Sequence, residues 1–136
     1  TDIIDGLCVT LDYEARFLRR KRLLCDNGEP FLVDLAETVS LNHGDVFICD
    51  DGTRIAICAA AEPVIEIWHE NLPMVAWHIG NRHTPCEVLP DHLVIRKDHV
   101  LSDLLSKLGA QTIEKDAPFK PLGGAYGYGR THAHSH

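Results

Sequence analysis

The order in which hydrophobic periodicity changes beyond Pro63 constrains the fold of this chain more than any other feature of its sequence. "VIEIW", Val64 to Trp68, alternates apolar and polar residues with a period of two, as a strand buried on one face does. Leu72, Val75, Ala76 and Ile79 then recur at i, i+3, i+4 and i+7, with Asn71 placed as an N-cap and Pro73 in the first turn, which predicts a helix. "CEVL" and "HLVIR" read as two short strands around Pro90-Asp91. Leu101, Leu104, Leu105 and Leu108 make a second helical stripe, capped by Asp98 and ended by Gly109. "QTIEK" supplies a last strand. A β-α-β-β-α-β order predicts the ferredoxin-like arrangement, two helices on one face of an antiparallel sheet.

Before Pro63 the pattern is different. "RLLCDNGEPFLVDL" and "DVFICDDGTRIAICAAA" each place apolar stretches on both sides of an Asn-Gly or Asp-Gly pair, which supplies the positive φ of a tight hairpin turn. Residues 1–62 are therefore expected to form an all-β N-terminal domain, and residues 63–136 a ferredoxin-like domain, with the boundary at Glu62-Pro63, where proline interrupts strand pairing. The class is α+β. Residues 117–136, "APFKPLGGAYGYGRTHAHSH", hold two Pro and four Gly with no burial period, and are expected to be a flexible, His-bearing tail.

Several functions are disfavoured. The formal charge of −7 repels polyanions, so nucleic acid is not an expected partner, and the basic run "RFLRRKR" (Arg16 to Arg22) reads as a solvated strand face. No apolar run reaches the ~18 residues a membrane span needs. Five cysteines, Cys8, Cys25, Cys49, Cys58 and Cys86, form no C-x-x-C pair, which suits small buried hydrophobes in a reducing cytoplasm. Cys86, three residues after His83, is the one cysteine with a competing reading as a soft metal ligand. "HENLP" has Pro73 where a zinc protease helix needs its second histidine. Nor does a phosphate cradle, nucleophile elbow or close carboxylate pair appear, so an enzyme is not expected.

What remains is imidazole, nine copies in 136 residues. His83 follows the first helix in "GNRHTP", bounded by Gly80 and Pro85, so its side chain is presented from a corner that the core holds still. A neutral imidazole there is a metal ligand; the competing reading is a histidine that bonds a loop carbonyl. His99 would occupy the first position of the second helix, after the Asp98 cap, and is a second candidate ligand; the alternative is an exposed histidine without a role. His132, His134 and His136 alternate, so an extended backbone sets them on one side about 7 Å apart, a chelating strip. A tag remnant or a solubilising end would look similar. Imidazole suits nickel, zinc and copper alike, so this chemistry does not name the ion. If His83 is the only strong ligand at its corner, a two-fold axis beside it would complete the site.

"WHIGNRHTP", "DHVLSDLLSKLG", "PFKPLGGAYG" and the His-bearing end, in this order, resemble the UreE family of urease accessory proteins, which are nickel metallochaperones. "LNHGDVF", "DDGTRIA" and "AAEPVIEI" extend the likeness into the first half. The resemblance implies a homodimer joined through the ferredoxin-like domains, with His83 paired across the two-fold at a Ni2+ site that Zn2+ or Cu2+ can also enter. It implies an N-terminal domain of a partner- or peptide-binding type, further ligands from the tail, and delivery of Ni2+ to a urease apoprotein complex with its accessory GTPase. Lys97 stands where some relatives carry another histidine, Leu122 replaces a carboxylate of the "P-E-x-G-A-Y" form, and the tail is short, so fewer ions per dimer are expected. The alternative function is storage or buffering of these metals without specific delivery.

Overall fold

The computed structural model describes residues 7–121, which divide after Ala60 into two compact units. The first contains β1 (Cys8–Leu11), a single 3-10 turn (Glu14–Arg16), β2 (Phe17–Leu24), β3 (Pro30–Ser40), β4 (Val46–Ile48) and β5 (Arg54–Ala59). β2 and β3 form an antiparallel hairpin with an irregularity between Leu18 and Arg20; β5 lies between β1, to which it is parallel, and β4, to which it is antiparallel. The two Asx-Gly pairs turn the chain as their chemistry predicts. Gly28 and Gly52 take φ of 93° and 90°, and Asn27 and Asp51 accept the N–H of Glu29 and Thr53.

Alternating residues from these strands bury Val9, Leu11, Leu18, Leu23, Val33, Ile55 and Ile57 in one core. The basic run divides: Arg19, Arg20, Lys21 and Arg22 are exposed on β2, whereas Arg16 is buried and donates to the Leu11 carbonyl at 3.1 Å. Cys25 is buried in the same core, and that burial, foremost, pushes its thiol up from the ordinary value.

The second unit contains β6 (Ala61–Trp68), α1 (Leu72–Asn81), β7 (Glu87–Val88), β8 (Leu93–Arg96), α2 (His99–Lys107) and β9 (Gln111–Pro118). The sheet order is β7-β8-β6-β9, all neighbours antiparallel, so the ferredoxin-like βαββαβ expectation holds. Asn71 and Asp98 cap the two helices, accepting from Met74 and Leu101 at 3.3 and 3.0 Å. Val75, Ile79, Leu101 and Leu105 from the predicted stripes pack on Ile65, Ile67, Leu93 and Ile95 of the sheet. Val75, Ile79 and Leu105 are completely buried.

Two element ends differ from expectation. β6 begins at Ala61 and runs through Pro63, which pairs with Asp116. The Pro63 carbonyl accepts from Lys97 N, and a strand residue's nitrogen and carbonyl point to the same side, so the missing N–H faces a chain that has already left β8. Proline is tolerated there because the ladder on that flank is ending. β9 continues to Pro118, and Phe119 after it is wholly buried, so the first residues expected to be loose are structured. Among the described residues no helix is long and apolar enough to cross a membrane.

Candidate metal centre

Strand direction sorts the histidines of the second unit. β6 and β7 run one way, β8 and β9 the other. The α1–β7 connection, the β8–α2 connection and the exit from β9 therefore share the end of the sheet where β6 begins, and these carry His83, His99 and Phe119 to Pro121. The opposite end carries the β6–α1 connection, the β7–β8 turn and the α2–β9 connection, with His69 and His92.

His83 holds an unusual backbone. Its φ is 58°, and it is the one non-glycine residue with positive φ among those described. α1 does not stop at Gly80, which remains helical; Arg82 N donates to Ile79 O and His83 N to Gly80 O, so the left-handed termination falls on the histidine. An L-residue in that conformation stores about 1 to 2 kcal/mol of strain. Such a residue at a polar, exposed corner is a candidate for function. Among the described residues the His83 ring makes no hydrogen bond.

His99 opens α2 with its side chain 91% exposed and Nε2 3.9 Å from Asp103 Oδ2, one turn along. Cys86 is part of a different environment: it is partly buried, and that burial, foremost, pushes its thiol up to about 11. His132, His134 and His136 lie outside the described residues. Among the described residues, no three His, Cys, Asp or Glu side chains converge as a metal site. His83 and His99 are thus presented singly, from one end of the domain.

Other histidines are committed elsewhere. His43 Nδ1 accepts from Ala59 N at 3.1 Å. His92 stacks on Trp68 with ring centroids 4.9 Å apart, and its Nδ1 lies 2.7 Å from Asp91, whose carboxyl this bond holds below the ordinary range. His69 is a structural clamp that periodicity alone does not reveal. Asn71 N donates to its Nδ1 at 2.8 Å and its Nε2 donates to the Leu108 carbonyl at 2.9 Å, which sets one neutral tautomer and joins the start of α1 to the end of α2. His69→Ala leaves both backbone groups without that partner. The expected loss is about 1 to 3 kcal/mol in urea unfolding. Metal binding should be retained, since the clamp is at the far end; unchanged stability would refute the clamp.

Comparison with known proteins matches two family models in tandem. The one described as the UreE urease accessory protein, N-terminal domain, covers residues 7–60, and its C-terminal domain counterpart covers residues 62–136. The urease accessory protein UreE of Ruegeria sp. (strain TM1040) is 55% identical over 125 residues, 92% of this chain and 71% of that protein. That of Ruegeria pomeroyi is 54% identical over 128 residues, 94% of this chain and 86% of the relative. The Paracoccus denitrificans protein is 55% identical over 123 residues, 90% and 79% of the two chains.

Proposed function

Because the chain belongs to the UreE family of urease accessory proteins, with a part in urease maturation, we propose that it captures Ni2+ and hands it to the urease apoprotein complex and its accessory GTPase. His83 is the proposed primary ligand. The observation that carries this reading is its geometry: an exposed imidazole with no hydrogen bond among the described residues, held on a strained left-handed corner at the same end as His99 and the root of the tail. His99, His132, His134 and His136 are the proposed secondary ligands.

One imidazole cannot fill a coordination sphere, so two copies of His83 share the ion across a homodimer axis. Trp77 and Val100, 62% and 66% exposed on the two helices, are the apolar surface that a second copy would cover. Transfer is ligand exchange down a gradient of affinity, with no bond broken in a substrate. Zn2+ and Cu2+ compete for the same donors. The five cysteines, all free, suit work in the cytoplasm.

Deletion of residues 132 to 136 should lower the nickel stoichiometry measured by calorimetry and leave the tightest site in place. Loss of all binding would move the primary site to the tail. Delivery is tested by mixing the nickel-loaded protein with the urease complex and GTPase: nickel-dependent association and urease activation support it. Equal binding of nickel, zinc and copper with no such association would make the protein a buffer.

A further inference from the structure

Four of the chain's 13 lysines and arginines stand in one run, Arg19 to Arg22, on β2. The ladder with β3 sorts them by face. Leu23 and Val33 are buried and Phe31 packs on the same core, so Lys21, opposite Val33, belongs to the core side of the hairpin. Arg20, Arg22 and Leu24 belong to the outer side, with Asp34, Leu32 and Pro30 opposite them, and all six are exposed. Leu24 and Leu32 keep 61% and 59% of their surface open, so the outer side joins two cations to an apolar pair. Arg19, at the irregularity in the ladder, donates from Nε to the Ala36 carbonyl at 3.3 Å. Among the described residues the side chains of Arg20, Lys21 and Arg22 make no ion pair and no hydrogen bond, nor does that of Asp34.

We propose that this outer face, through Arg20 and Arg22 with Leu24 and Leu32, docks an acidic segment of the protein that receives the ion, its carboxylates on the arginines and an apolar side chain on the leucines. This rests on the nickel-carrier reading. Two residues along a strand set the arginines about 7 Å apart, a spacing that carboxylates at every second position of an extended segment match. Cations on a two-stranded hairpin also guard its edges against pairing with other chains, but a guard alone does not call for two exposed leucines on the same face. Charge selects the class of partner. Screening confines each field to about 8 Å at physiological salt, so a short acidic segment meets the local cations, whereas a membrane surface or a nucleic-acid helix also faces the acidic remainder of a chain of net charge −7.

The test is binding of the nickel-loaded protein to the urease apoprotein complex with its accessory GTPase, at low and at physiological salt, beside nickel calorimetry and urea unfolding. Arg20→Glu with Arg22→Glu should weaken association at least about tenfold, because like charges then face each other. Arg20→Gln with Arg22→Gln should weaken it about three- to tenfold and flatten its salt dependence. Leu24→Ser with Leu32→Ser should weaken it and leave the salt dependence as it is. Nickel affinity and stability should stay near the parent's in all three, since the side chains are exposed and none is a proposed ligand. Association of the charge-reversed chain equal to the parent's would overturn the proposal. So would a glutamine variant that aggregates by itself, which makes the arginines an edge guard. Tighter parent binding to phosphatidylserine vesicles or to an RNA hairpin than to the complex, lost on charge reversal, would assign the face to a polyanion and overturn it too. If the parent does not associate with the complex at all, the delivery reading fails and the docking with it; if the parent associates and the variants match it, only the docking surface does.

Discussion

A His83→Ala chain is expected to fold and to lose its tightest nickel site. Removing a group that merely orients a ligand costs tenfold to a hundredfold in metal affinity, so deleting the ligand itself should cost at least about a hundredfold, or ~3 kcal/mol. Stability should move little, because the side chain is exposed and without a hydrogen bond among the described residues. His83→Gly sharpens the test. At φ 58° glycine escapes the left-handed strain, so this variant should be as stable as the parent or more so, by up to about 1 kcal/mol, and still bind nickel as poorly as the alanine variant. Calorimetry paired with urea unfolding separates the two quantities. A folded His83→Gly protein that keeps its tight site would remove His83 from the centre.

How far the sequence discloses this arrangement depends on the distance over which each feature is determined. Both helices, with their Asn71 and Asp98 caps and their Val75, Ile79, Leu101 and Leu105 faces, were legible, because caps and stripes are set within a few residues. The turns at Gly28 and Gly52 were legible for the same reason. The passage of β6 through Pro63 was not, since its tolerance depends on where β8 stops. Phe119 sits among Pro and Lys with no periodic neighbours, and only the completed sheet gives it a place to be buried. His69 needed Leu108, 39 residues away, to show its work. His83 is legible from its position after α1, but its left-handed backbone is not, because Gly80, the residue nearby best suited to positive φ, stays helical.

Trp77→Ala is expected to make nickel affinity depend on protein concentration. On α1, Val75 and Ile79 are completely buried, and Trp77 between them turns outward with 62% of its surface exposed, its ring set edge-on to His78. A tryptophan in the middle of an interface is worth 2 kcal/mol or more, so if Trp77 lies at the centre of the proposed homodimer interface, that dimer should dissociate about thirtyfold more readily without it. If the ion is shared between two copies of His83, metal binding and association are linked, and each strengthens the other by the same factor. Dilute Trp77→Ala should then bind nickel weakly, and concentrating it should restore the affinity by mass action. Concentration cannot restore His83→Ala, which has lost the donor. Sedimentation equilibrium with and without nickel, alongside calorimetry at two protein concentrations, distinguishes them. A parent protein that is monomeric both loaded and empty, with its tight site intact, would mean that one chain completes the coordination sphere by itself, and the symmetric site would have to be abandoned.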